Sequence, residues 1–201
     1  MVETITIPEI KVMAELITNM KHKRVGILGG TFNPPHLGHL IIAAQVKSQL
    51  NLDEVMFIPD YQPPHIDKKT AISAEKRLKM VKLSTMDEPG FKVSDIELRR
   101  KGVSYTIDTI KELKLKNPEV DYYFIIGGDM VEYLPKWHRI EELIKLVKFV
   151  GVGRPGYRKK SKYPIMWVDV PMTDISSTLV RRNVKQGCSI KYLVTPEVEN
   201  Y

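Results

Sequence analysis

Apolar residues in this chain follow two alternating patterns. Short continuous runs at 25–28, 54–58, 122–126, 149–152 and 165–170 read as buried strands. Between them, at 38–50, 73–86, 106–116, 138–147 and 176–186, apolar positions recur every three or four residues, the spacing of one helix face. Strands without polar alternation are covered on both sides, and strands separated by helices form a parallel sheet with right-handed crossovers. The pattern predicts an α/β fold, a single-domain doubly wound parallel sheet. Residues 91–93 and 95–98 read as one short, irregular or edge strand. Ahead of the first strand, Ile10, Met13, Leu16 or Ile17, and Met20 predict an amphipathic helix over 8–20. The expected division is a helical extension at 1–22 and one domain at 23–201. That helix is a candidate to pack on the domain or on a second subunit, which makes a homodimer the candidate assembly.

In a sheet of this kind, ligands bind beyond the carboxyl ends of the strands, where the strand order reverses. Loops rich in glycine or polar residues follow the strands: Gly29-Gly30-Thr31, the segment 59–69, Gly127-Gly128-Asp129, Gly153-Arg154-Pro155 and Ser176-Ser177-Thr178. They are expected to converge on one site. The first is the most telling. A strand runs into a glycine turn, two prolines follow, and a helix starts near His36 and His39. Helix-end N–H groups and the helix dipole favour an anion there. The histidines are three apart and share a helix face. Neither GxGxxG nor GxxxxGK[ST] is present. Near the C-terminus, Ser176-Ser177-Thr178 opens another helix, and Arg181 lies one turn on. Serine before an amphipathic run is a helix cap. Three hydroxyl residues and a guanidinium exceed that need and suit a phosphate.

Composition narrows the setting. With 201 residues, 43% hydrophobic and 27% charged, the chain suits one globular domain. No apolar run nears the ~18–20 residues that span a bilayer, and the start lacks a signal-peptide pattern. The single cysteine, Cys188, excludes an internal disulfide or a cysteine-based zinc cluster and reads as a partly buried small residue. The expectation is a cytoplasmic protein. A net charge of +7 fits phosphorylated small molecules. No basic stripe interleaved with aromatics marks a nucleic-acid partner, and no membrane partner is expected.

The run G-G-T-F-N-P-P-H-L-G-H from Gly29 resembles the HxGH nucleotidylyltransferases, and Ile175-Ser176-Ser177-Thr178 with Arg181 resembles their ISSTxxR signature. Phe57-Ile58-Pro59, Pro63-Pro64-His65, Tyr105-Thr106, Ile126-Gly127-Gly128-Asp129, Leu134-Pro135-Lys136-Trp137 and Gly153-Arg154-Pro155 appear in order between them. Together, over residues 24 to about 195, they are similar to bacterial nicotinate-nucleotide adenylyltransferases. The resemblance implies a Rossmann-like sheet of the HxGH type and the reaction of ATP with nicotinate mononucleotide to give deamido-NAD and pyrophosphate. It implies a catalytic role for His36, His39 and Arg181. It implies that Gly29, Gly30, Thr31, Phe32, Ser176, Ser177 and Thr178 line the phosphates. Gly127 would belong to the same ATP site, Asp129 would bond a ribose hydroxyl, and Gly153 and Arg154 would face the adenine. Trp137 would stack on the nicotinate ring, Tyr105 would flank it, and the backbone of Thr106 and His138 would hold its carboxylate. Mg2+ is expected to arrive with ATP. Three positions depart from the family pattern: Asn33 for Asp, Ile66 for Lys and Gly128 for Ala. Lys68 or Lys69 is the expected substitute for the missing lysine. The alternatives are nicotinamide mononucleotide or pantetheine phosphate as acceptor, or a non-catalytic nucleotide-binding module.

Overall fold

A computed structural model describes residues 22–64, 71–153, 161–171 and 173–201, with Asp129 described by its backbone alone. The helix expected over 8–20, Lys69 and Arg154 lie outside the described residues. Six strands form one parallel sheet: β1 (Arg24–Gly30), β2 (Glu54–Pro59), β3 (Phe91–Val93), β4 (Asp121–Gly127), β5 (Lys148–Gly153) and β6 (Ile165–Asp169). Their order is β3-β2-β1-β4-β5-β6. The order reverses between β1 and β4, so the crevice lies at the Gly30 and Gly127 ends.

The continuous apolar runs are explained by cores on both faces. Val25 and Ile27 of β1 and Tyr122, Phe124 and Ile126 of β4 pack on one side, and Leu28, Tyr123 and Ile125 on the other. The first side is covered by α4 (Thr106–Lys116) and α6 (Ile140–Leu146), which contribute Ile107, Ile110 and Leu143. The second is covered by α1 (Leu37–Gln49) and α2 (Ala74–Thr85), which contribute Val46 and Val81. A smaller cluster of Met80, Val180, Val194 and Val198 joins α2 to α7 (Ser177–Lys185) and α8 (Pro196–Glu199).

Three expectations change. Residues 91–93 are an edge strand, but 95–98 are not its continuation. They open a short helix, α3 (Ile96–Arg100), which buries Ile96 and Glu97. The helix expected from 138 starts at Ile140, because Arg139 is left-handed (φ 55°) and Trp137 is extended. His138 therefore lies in the connection that follows the turn Leu134–Lys136. Cys188 is exposed, just past the left-handed Gly187 (φ 67°) that ends α7. The backbone also places Asp129 inside α5 (Gly128–Val131), with Gly127 at the cap position.

Candidate active site

A cavity of about 640 Å3 opens at the crevice between β1 and β4. Its wall includes Gly29, Gly30, Thr31 and His39 from the first motif, Gly127 from the end of β4, and Tyr105, Thr106, Trp137 and His138 from later segments. Residues far apart in sequence thus meet in one space.

His36 is the N-cap of α1, one position outside the helix, and His39 occupies its third position. The His36 backbone N–H donates to His39 Nδ1 at 3.1 Å, the role a Glu or Gln plays in a capping box. With Nδ1 accepting, the neutral His39 ring carries its hydrogen on Nε2. The two imidazole centroids lie 3.7 Å apart with the ring planes tilted by 32°, and the buried Phe32 supports His39 edge-on at 5.0 Å. Gly38 keeps this packing free of a tight contact. A Cβ there would stand 3.0 Å from both His36 Nδ1 and Thr173 Oγ1.

Burial pushes the His36 imidazole down to about 4. Burial, and then the neighbouring His36 charge, push His39 down to about 3, against a small upward effect of its backbone hydrogen bond. Both rings are neutral at pH 7. The ordinary value is 6.5, so between about pH 6.5 and pH 4 the unfolded chain gains protons that the native chain refuses. Stability is therefore lost as pH falls through that window. The thermal midpoint is expected to drop on going from neutral pH to pH 5. Calorimetry should show a fall smaller by several degrees in a His36→Asn/His39→Asn variant. Equal falls would contradict the neutral pair.

The C-terminal motif stands off the cavity wall and is tied to the loop after β1. Ser176 caps α7 by accepting from Leu179 N–H at 3.1 Å. Ser177 donates to the Pro34 carbonyl at 2.8 Å, and Arg181 donates to the Asn33 carbonyl at 2.7 Å and to Thr178 Oγ1 at 3.2 Å. Ser177 and Arg181 thus join the start of α7 to the Asn33-Pro34 loop, and Thr178 Oγ1 braces Arg181 from within the helix. Neither His36, Phe32 nor Gly153 is part of the cavity wall either. Thr31 is, but its hydroxyl donates to Asp60 Oδ2 at 2.7 Å.

On the opposite side, the His138 ring stacks on Tyr105 at 4.4 Å. Trp137 is half-buried, edge-on to Phe124 at 5.8 Å and Phe149 at 6.0 Å. Its Nε1–H is buried without an acceptor among the described residues. Tyr105 caps α4 with no side-chain hydrogen bond to the first turn, so the helix presents uncapped N–H groups beside Tyr105 and Thr106.

Several wall residues carry no sequence signal of their own. Glu97 is buried and accepts from Thr109 Oγ1 at 2.6 Å, while Arg100 donates to that hydroxyl at 2.8 Å. Desolvation raises the Glu97 carboxyl above its usual range, against the hydroxyls of Thr109 and Ser104 and the charge of Arg100. Asp60 lies between Thr31 and the buried Arg77. Among the described residues, no group of three or more His, Cys, Asp or Glu is arranged to hold a metal ion.

The cytidylyltransferase-like family model matches residues 27–183, from β1 into α7. Over 179 residues the chain is 60% identical to an Enterococcus faecalis protein named "Probable nicotinate-nucleotide adenylyltransferase", covering 89% of this chain and 82% of that one. The chain is a nicotinate-nucleotide adenylyltransferase family member. A Lactiplantibacillus plantarum protein of the same name is 54% identical over 99% of this chain and 94% of its own length. The fold matches that of Plasmodium falciparum nicotinic acid mononucleotide adenylyltransferase complexed with NaAD, at a TM-score of 0.74 and 19% identity over 90% of this chain and 94% of that one. Family membership makes the chain an enzyme of the nucleotidyltransferase class, and no described helix is long and apolar enough to cross a membrane.

Proposed function

We propose that the chain transfers the adenylyl group of ATP to nicotinate mononucleotide, releasing pyrophosphate and forming deamido-NAD, a step of NAD biosynthesis. The observation that carries this reading is a two-ended cavity. One end has the glycine turn and the neutral His39. The other has the uncapped start of α4 with aromatic side chains around it. Residues 23–201 are the nucleotidylyltransferase domain.

An oxygen of the mononucleotide phosphate attacks the α-phosphorus of ATP. The new P–O bond forms in line with the one that breaks, and the electron pair leaves on pyrophosphate. The attacking oxygen is already anionic, so no general base is needed. The task is to position two anions and offset their charge. His39 donates from Nε2 to an α-phosphate oxygen, and the backbone of Gly30, Thr31 and Phe32 lines the same group. Gly29 leaves room for the close approach. His36 acts behind His39, through the stacked ring. Ser176, Thr178, the backbone N–H of Ser177 and the guanidinium of Arg181 hold the departing phosphates, while the Ser177 hydroxyl stays on the Pro34 carbonyl. Asp129 bonds a ribose hydroxyl beside Gly127, and Gly153 and Arg154 border the adenine. Mg2+ enters as part of the ATP complex, held by phosphate oxygens and water. That fits a cavity where Asp60 already has one oxygen engaged by Arg77 and the other by Thr31. Lys69 meets the mononucleotide phosphate.

The nicotinate ring lies against Trp137, with Tyr105 and His138 beside it. Its carboxylate meets the backbone N–H groups of Thr106 and His138, which the positive end of the α4 dipole favours. Trp137→Ala is expected to raise the KM for the mononucleotide by roughly tenfold, a loss in the range of one aromatic stacking contact. The KM for ATP should stay within about twofold. A rise confined to ATP would show the pyridine end misplaced. The reading as a whole is tested by pyrophosphate release with ATP, Mg2+ and nicotinate mononucleotide. Rapid release is expected. ATP binding without release would favour a nucleotide-binding module instead.

A further inference from the structure

Among the described residues, Arg77 is the largest of the fully buried side chains, with 2% of its surface exposed. A guanidinium has five N–H donors, and here each has its own acceptor. Nε donates to the Ile72 carbonyl at 3.2 Å. Nη1 donates to the Thr31 carbonyl at 2.8 Å and to Asp60 Oδ1 at 3.1 Å. Nη2 donates to the carbonyls of Asp60 at 2.7 Å and Tyr61 at 3.2 Å. Asp60 Oδ2 then accepts from the Thr31 hydroxyl at 2.7 Å, which closes the network on itself. Every acceptor lies in a loop. Thr31 follows β1, Asp60 and Tyr61 follow β2, and Ile72 precedes α2.

A buried ion pair is a poor way to gain stability, because desolvation offsets the attraction, and apolar side chains of equal volume serve a core as well or better. This one stands at the carboxyl end of the sheet, with Thr31 and Asp60 both in the cavity wall. Only a planar, forked cation can hold three separate loop segments at once, and lysine cannot reproduce it. We propose that Arg77 is a positioning residue for adenylyl transfer. Acting with Asp60, it holds the Gly30-Thr31 turn and the 60–61 loop in the arrangement that receives the triphosphate. The inference rests on the adenylyl-transfer reading above and deepens it. Arg77 touches no substrate. Its effect passes through the Thr31 carbonyl and through Asp60.

The test compares Arg77→Lys and Asp60→Asn with the wild-type chain, with kcat counted per folded molecule well below the thermal midpoint of each. Each variant is expected to lower kcat by about tenfold or more, since loosened alignment of reacting groups carries penalties of that order. Each should also weaken MgATP binding by about threefold or more, read by calorimetry. The double variant should cost little beyond the worse single one, as members of one network do. Direct charge repulsion by Asp60 predicts the opposite sign, tighter ATP binding in Asp60→Asn. A merely structural role lowers the thermal midpoint and leaves kcat per folded molecule within twofold of wild type, and that result overturns the proposal. If Arg77→Lys does not fold, Asp60→Asn decides alone by the same criterion. If the wild type releases no pyrophosphate with nicotinate mononucleotide, the functional reading has failed. The MgATP affinity of the folded variants then judges Arg77, and an unchanged affinity overturns its role.

Discussion

His39→Ala is expected to lower kcat by about a hundredfold or more, the cost of removing one preorganised donor from a developing charge. The argument starts from the ring's tautomer. His39 Nδ1 is committed to the His36 backbone N–H, so its hydrogen lies on Nε2. The ring is clamped between His36 at 3.7 Å and Phe32 at 5.0 Å, so the donor needs no reorganisation when the α-phosphate takes on charge. Alanine removes both the cap acceptor and the donor. Two further variants separate them. Asparagine places an oxygen near the Nδ1 position, so His39→Asn should recover thermal stability and leave kcat low. Glutamine reaches nearer to Nε2, so His39→Gln should recover part of kcat. Steady-state pyrophosphate release with calorimetry on the same samples reads both effects. A kcat for His39→Ala within a few-fold of wild type would remove His39 from the chemistry.

Discrimination between acceptors should be of the same size. Nicotinate mononucleotide is expected to be used about 100-fold better than nicotinamide mononucleotide by kcat/KM, which corresponds to ~2.7 kcal/mol. The two differ only in a carboxylate against an amide. The start of α4 offers uncapped N–H groups beside the cavity, and these suit an anion that accepts on both oxygens. The amide presents one acceptor, and its NH2 would face donors. Parallel assays with the two mononucleotides at saturating MgATP measure the ratio. Equal values would leave adenylyl transfer standing and remove the carboxylate-reading role of Thr106 and His138. Release chiefly with pantetheine phosphate would move the acceptor altogether.

The sheet and its crossovers are legible in the chain because short apolar runs, too short for helices and bounded by glycine or polar turns, alternate with longer segments of helical spacing. The 95–98 segment misled for the converse reason. Ile96 and Leu98 alternate as a strand would, and four residues are too few to tell that rhythm from a single turn of the helix that runs on to Arg100. His36 and His39 stood out because glycine, proline and histidine at fixed spacing have few other uses. Their stacking and their neutrality come from the three-dimensional burial that spacing does not encode. The C-terminal hydroxyls were read as phosphate donors, whereas Ser177 and Arg181 also stitch α7 to the Asn33-Pro34 loop across the whole length of the domain. Arg77 was invisible. One arginine in an amphipathic helix with Lys76 and Lys79 beside it looks like part of a solvated face, and only the fold shows that it points inward.

Among the described residues, the first strand in sequence is one of the two central strands of the sheet. During synthesis β1 can pair with β2 as soon as both have emerged, but its other edge has to wait for Asp121–Gly127. From Gly30 until Asp121, ninety-one positions later, the nascent chain therefore carries an apolar strand with one open ladder of N–H and C=O groups, the kind of edge that recruits foreign strands. The same wait divides the active site. The glycine turn that ends β1 is made early, the Gly127 side of its crevice only when β4 docks, and the Trp137-His138 segment and the Ser176–Arg181 motif follow later still, so the site is assembled in stages from both halves of the chain.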